Sequence, residues 1–320
     1  MVQLGMALPQ FGADAAVEKI VAVAAGAEEV GLDSVWVMDR LLRPRAPVLL
    51  PGGPTIPLPD AYATVFDPLD TLAFVAARTS RVLLGTSAIL ALHHHPVVLA
   101  RRFATVDRLS GGRLLAGVVQ GWMAEEFAAM GVAAESRGAR FDEHLAAMRA
   151  TWRPDPVAFA GRFFEVPPSD IGPKPMQSGG VPLLMGYAHA AGIKRAARVA
   201  DGLHPYTNDR AALSRDLGLF RATTLAAGRD PSAVPIVLRA DGRLDAEAAS
   251  AEDRPLFCGS LDQWREDVAA VQALGVGHLV FGLSGPVQQQ LDTMAALRER
   301  VPRVPGELAT RPAGQLSSLA

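Results

Sequence analysis

The feature that most limits what this chain can become is an alternation: a short apolar run, then a longer amphipathic segment, repeated to the end. The short runs lie at residues 3–8, 34–37, 82–87, 114–118, 183–186, 202–205, 235–239 and 277–281. They are brief, largely apolar and mostly bounded by glycine or polar residues, the pattern of parallel strands buried on both faces. Between them, residues 17–30, 98–109, 141–152, 192–199 and 261–274 place apolar side chains at three- and four-residue spacing and are predicted as helices. Gly31 and Gly275 stand where a helix end accepts a left-handed residue, and Ser260 precedes Gln263 at capping-box spacing. Strand and helix alternating in this way over about 280 residues predict one α/β domain, a (β/α)8 TIM barrel over residues 1–301, with 302–320 as a loosely ordered tail. An open doubly wound sheet is the alternative, weakened because no G-x-G-x-x-G follows the first strand.

Charge excludes some partners. With 31 basic and 33 acidic residues and a net charge of −2, nothing electrostatic draws the chain to nucleic acid or an anionic membrane. The longest apolar run, 82–92, is interrupted by Gly85, Thr86 and Ser87 and is too short to span a bilayer. The first residues form a strand-like run with no basic segment leading into an apolar stretch, and the one cysteine, Cys258, leaves no intramolecular disulfide. A cytoplasmic location is the expectation.

Two stretches break the regular unit, and both are expected as insertions at the C-terminal face of the barrel. Residues 42–62 hold Pro44, Pro47, Pro51, Gly52, Gly53, Pro54, Pro57 and Pro59, which bars a long helix or central strand. Lying just after the second strand, this segment is predicted as a lid or substrate-shaping loop, against an inert surface loop. Residues 154–182, with Phe159, Phe163 and Phe164, are expected to be an irregular excursion over part of the mouth.

No G-x-S-x-G, Walker A, H-E-x-x-H or paired C-x-x-C sequence is present, so hydrolase, nucleotide-triphosphatase and zinc chemistry lose their usual support. What remains is the set of polar and glycine residues that follow the strands: Gln10, Asp39, Arg40, Thr86, Ser87, Gln120, Gly121, Trp122, Gly186, Tyr187, Ala188, His189 and His204. On a barrel these converge on one mouth. His93, His94 and His95 invite a metal, but consecutive residues of an extended segment point alternately, so no metal is expected; His95 instead precedes Pro96 at a helix start. Gly186 to His189 leads into a helix whose N-terminal amides suit a phosphate, with Lys174 as a nearby cation or an exposed one. Glu125 and Glu126 are expected to be structural or solvated, and Trp36, His204 and Tyr206 to line the pocket or the core.

The block LGTSAILALHHHPVVLA from Leu84, continued by ATVDRLSGGRL from Ala104 and GVVQGW from Gly117, resembles the core of luciferase-like monooxygenases, closest to their deazaflavin-dependent branch. GMALPQ from Gly5, GLDSVWVMDR from Gly31, ADGL from Ala200, CGSLDQW from Cys258 and GVGHL from Gly275 are similar to the family at their own places, so the resemblance reaches about Val301. It implies a barrel that holds coenzyme F420 (an 8-hydroxy-5-deazaflavin), or alternatively FMN, in a slot at the strand C-termini, with the protein orienting a cofactor that does the redox chemistry. By the resemblance, Asp39 lies beside the cofactor, Thr86 and Ser87 make polar contacts to it, and Ser87–Ala88 is a non-prolyl cis peptide behind the ring. Gln120, Gly121 and Trp122 wall the pocket, and Gly186, Tyr187, Ala188 and His189 cradle a phosphate. The family commonly has histidine where this chain has Arg40; a guanidinium is a poor proton donor, so any role here would be electrostatic, toward an anionic ring or substrate, unless Arg40 is in a surface salt bridge. The function implied is hydride transfer between F420 and a small organic substrate. The alternatives are an FMN-dependent monooxygenase fed by a separate flavin reductase, and a barrel that binds the cofactor without turnover. A homodimer is also implied.

Overall fold

In the computed structural model, which describes residues 2–13, 15–245, 247–249 and 254–301, every one of the eight apolar runs is a strand of one parallel barrel. They are β1 (Gln3–Ala7), β2 (Ser34–Val37), β3 (Leu83–Thr86), β4 (Leu114–Val119), β5 (Leu183–Met185), β6 (Gly202–Leu203), β7 (Val237–Asp241) and β8 (His278–Gly282). Neighbours pair in the order β6-β5-β4-β3-β2-β1-β8-β7. The ring closes between β6 and β7 through parallel bridges at Leu203–Ile236 and Tyr206–Arg239. There the amides of Leu203 and Arg239 donate to the carbonyls of Pro235 and Pro205, both at 2.9 Å. Closure sets the open doubly wound sheet aside.

The helices are α1 (Val17–Glu29), α2 (Pro68–Ala76), α3 (Pro96–Leu109), α4 (Ala124–Ala129), α5 (Arg137–Thr151), α6 (Ala190–Val199), α7 (Arg210–Ala226), α8 (Leu261–Ala273) and α9 (Val287–Arg300). Their ends follow local chemistry. Asp67 and Asp209 cap α2 and α7, Ser260 and Gln263 form the capping box of α8, and Gly31 and Gly275 take positive φ past α1 and α8.

Strand alternation divides each strand between two cores. Val35 and Val37 join the large core beneath the helices, whereas Ser34 and Trp36 point to the barrel axis. Trp36 packs there with Leu83, Leu115, Leu184, Val237 and Val280. Its indole fits because β3 carries Gly85 opposite; a Cβ at Gly85 would overlap the ring. No described helix is long and apolar enough to cross a membrane.

The insertion after β2 does lie over the mouth. It forms a small antiparallel pair, Val48–Leu49 with Thr55–Ile56, and buries Val48 and Leu58 with Met123 beside Tyr62 and Trp122. The second excursion does not. It is a hairpin, Val157–Ala160 with Glu165–Ser169, whose turn amides at Arg162, Phe163 and Phe164 donate to the Glu143 carboxylate of α5 at 2.9, 2.7 and 2.8 Å. Its inner face, Val157, Val166 and Ile171, packs with Val97 of α3. The reason is direction: the chain leaves α5 at the barrel end where strands begin, so the hairpin climbs the outer flank of α3 and α5. Lys174 stays at that far end, where its Nζ donates to Thr151 O (3.0 Å) and Asp155 (2.7 Å), so it is no phosphate ligand at the mouth. Residues 302–320 lie outside the described residues.

Candidate active site

At the C-terminal end of the barrel the inward positions of β3, β6 and β7 meet. Ser87, just past β3, lies at the start of a cis Ser87–Ala88 peptide, as the family resemblance implied. Its hydroxyl is 2.8 Å from His204 Nε2, and Arg239 Nη1 donates to the Ser87 carbonyl at 2.8 Å and to its Oγ at 3.3 Å. His204 Nδ1 faces the Val237 carbonyl at 2.7 Å. A carbonyl can only accept, so Nδ1 carries the proton and Nε2 accepts from Ser87. Complete burial holds His204 near pKa 4 despite that carbonyl, so the ring is neutral.

Beneath this layer the Trp36 indole stacks on His204, centroids 5.3 Å apart, and donates to Ser34 Oγ at 2.7 Å. Ser34 Oγ in turn lies 2.6 Å from His278 Nε2, and burial pushes His278 down to about 3. Above the floor lies a narrow cleft lined by Leu8, Gln10, Trp36, Met38, Ser87 and Arg239 among others. Gln10 shapes one side: it accepts from the Met38 amide and donates to Phe66 O at 2.8 Å, tying the loops after β1 and β2 together.

At the rim, Asp39 accepts from the Leu90 amide at 2.9 Å. Burial raises its pKa above the ordinary carboxylate value, partly opposed by that amide, by His94 and by Arg40. Burial likewise lowers His94, against the pull of Asp39. Each favours the other's charge, and burial disfavours charge on both. Arg40 is in no surface salt bridge: its Nη1 meets Glu126 Oε2 at 3.0 Å, with 8% and 1% of the two side chains exposed. The guanidinium lies over the rings of Trp122 (5.2 Å) and Tyr62 (5.5 Å), while Glu126 also accepts from the Leu41 amide at 2.8 Å. Glu126, expected to be structural or solvated, is thus the buried counter-ion of the rim; Glu125 beside it is exposed. Gln120 and Gly121 are half-buried past β4, and Gly121, at φ +89°, lies against the Phe127 ring.

The remaining expected positions divide. Thr86 spends its hydroxyl on the Gly117 carbonyl at 2.7 Å within the sheet, so it is a strand lock. Tyr187 turns away to α7, where its hydroxyl donates to Asp216 at 2.8 Å. Ala188 and His189 are exposed, and His189 is the residue before α6, whose N-terminus no side chain caps among the described residues. The three histidines diverge: His93 packs edge-on against Phe127, His94 neighbours Asp39, and His95 meets Phe164 at the head of α3. Among the described residues no group of three metal-ligating side chains converges. Arg239 is the residue sequence analysis missed. Its one signal was a charged side chain at the end of an otherwise apolar strand.

Known proteins match this architecture. The profile of the luciferase-like monooxygenase family matches residues 3–265. An uncharacterised protein of Mycobacterium tuberculosis H37Rv is 32% identical over 243 residues, 76% of this chain and 77% of its own. The F420-dependent glucose-6-phosphate dehydrogenase of Amycolatopsis mediterranei is 34% identical over 199 residues, 59% of this chain and 56% of that enzyme. An F420-dependent secondary alcohol dehydrogenase, solved with an F420–acetone adduct, shares the fold with a TM-score of 0.79 at 18% identity, over 94% of this chain and 99% of the other. With a closed barrel, a polar floor at the strand C-termini and a profile match across most of its length, the chain belongs to the luciferase-like monooxygenase family of oxidoreductases.

Proposed function

We propose that the protein moves a hydride between coenzyme F420 and a small organic substrate at the barrel mouth. The observation that carries this reading is the 34% identity to an F420-dependent dehydrogenase. Because that match spans 56% of the relative, its sugar phosphate is not carried over as the substrate here.

The lining of the cleft mixes apolar and polar groups, as a flavin-type ring requires. Leu8, Trp36 and Met38 offer apolar walls, Gln10 and Ser87 polar ones, and the buried Nε–H of Arg239 has no acceptor among the described residues. Asp39, Ser87, Ala88, Gln120, Gly121 and Trp122 would surround the ring. The backbone from Gly186 to His189, with the uncapped start of α6, would receive the phosphate. The deazaflavin supplies the two-electron chemistry when bound. Asp39, held protonated more readily than an ordinary carboxylate, is the group that exchanges a proton with the substrate oxygen. Arg40, locked by Glu126, shapes the rim without exchanging protons.

Titration of the purified apoprotein with F420 and with FMN tests this; micromolar affinity for FMN alone overturns it. The family's description as monooxygenases favours a second reading, in which reduced FMN arrives from a separate reductase. Oxygen consumption with reduced FMN distinguishes the two. A homodimer built on the α2 and α3 faces, where Val98 is half exposed beside Leu69 and Ala73, belongs to the same proposal and is tested by light scattering.

A further inference from the structure

Arg239 differs from the other arginines around the mouth. Arg40 is neutralised by Glu126, Arg43 by Asp60 and Arg254 by Asp267. Among the described residues no carboxylate lies within salt-bridge distance of Arg239, and its neutral company is the Ser87 carbonyl and hydroxyl and the Tyr206 ring at 5.2 Å. Its Nε is shielded from solvent and has no hydrogen-bond partner among the described residues. A mostly buried cation with an idle donor is costly unless something in the cleft completes it. His204 cannot compete for the role of cation, being neutral, and its contact with Ser87 fixes the hydroxyl that Arg239 approaches.

We propose that Arg239 is the anion-holding group of the cleft, receiving the negative charge that the ring gains on reduction, so that the protein binds reduced cofactor more tightly than oxidised. This rests on the redox reading above. The balance is simple. A hydride leaves the substrate carbon with both electrons of its C–H bond, and the ring that accepts it gains one negative charge and no separate proton. The substrate leaves as the carbonyl compound, its hydroxyl proton passing to Asp39 or to water. A fixed cation beside the ring lowers the energy of the charged state only, which is the differential binding that biases a redox equilibrium.

The test is equilibrium titration of the intact protein with F420 and with its borohydride-reduced form, and the same pair for FMN, by fluorescence or absorbance. In the wild type the oxidised form is expected to dissociate about tenfold more readily, as one charge-assisted hydrogen bond predicts. Arg239→Gln is expected to bring the two affinities together, and Arg239→Lys to keep part of the difference. Equal affinities in the wild type overturn the proposal with no variant needed. An unchanged ratio in Arg239→Gln does the same, and if that variant fails to fold, a wild-type ratio in Arg239→Lys also refutes a role for the Nε donor. Binding of neither cofactor overturns this proposal and the redox reading together, whereas binding of FMN alone, with a ratio that depends on Arg239, overturns only the choice of F420.

Discussion

Arg40 and Glu126, 86 residues apart in the chain, form an ion pair at 3.0 Å that is almost closed to solvent. It joins the loop after β2 to the short helix after β4 and holds the guanidinium against the Tyr62 and Trp122 rings. A pair of this kind is strongly coupled, because losing either member strands the other charge in a poorly solvated place.

Glu126→Gln is therefore expected to destabilise the fold by about 3 kcal/mol, as is typical when one member of a buried pair is removed. Arg40→Met combined with Glu126→Leu should recover much of that loss, since the stranded charge is gone. Urea unfolding of Arg40→Met, of Glu126→Leu and of the double variant measures the coupling; strictly additive losses would show that the pair is not coupled.

Asp39 is expected to control the pH dependence of turnover. Its raised pKa places the acid limb of the rate profile above the ordinary carboxylate value of 3.8. Asp39→Asn should lower kcat by about 10²–10⁴-fold, the usual worth of a positioned acid–base group, and abolish that limb. Steady-state kinetics across pH, with a melting curve to confirm folding, would detect an unaltered limb and so exclude Asp39 as the proton-exchanging group.

The buried histidines set the acid limit of stability. His204 is depressed from 6.5 to about 4 and His278 from 6.5 to about 3, both by desolvation. The unfolded chain takes up these protons below pH 6.5 while the folded chain does not until about 4 and 3. Stability is then fully present above pH 6.5 and declines as pH falls toward those folded values, at up to ~1.4 kcal/mol per pH unit for each histidine. Melting temperature followed from pH 7.5 down should show this loss, and His204→Gln should flatten it.

Gly85→Ala should be among the most damaging small substitutions in the barrel. The added methyl would overlap the Trp36 ring, which is pinned by Ser34 and stacked on His204. A loss of about 3 kcal/mol is expected, at the upper end of overpacking costs. Pairing it with Trp36→Phe, which frees space, should return part of the stability in chemical denaturation.

Much of the fold could be read from local chemistry. The eight strands are short apolar runs because each is covered on both sides, and the helix ends follow from Asp67, Asp209, Ser260, Gly31 and Gly275. The direction of the second insertion could not be read the same way. Proline and phenylalanine content marks irregularity, but which end of the barrel a segment leaves from depends on the direction of the preceding helix, here α5, and on the anchor it finds at Glu143.

The order of strands and helices, and the gathering of Asp39, Arg40, Ser87 and Trp122 at one end, were determined by the sequence alone, because periodicity and strand polarity are local properties. Which of those side chains face the cleft was decided only by the tertiary structure. Thr86 and Tyr187 turned to partners inside the protein, Arg40 was claimed by Glu126, and Arg239 came forward from β7 to meet Ser87, 152 residues away. A side chain takes the strongest partner within reach, and reach is a property of the closed ring.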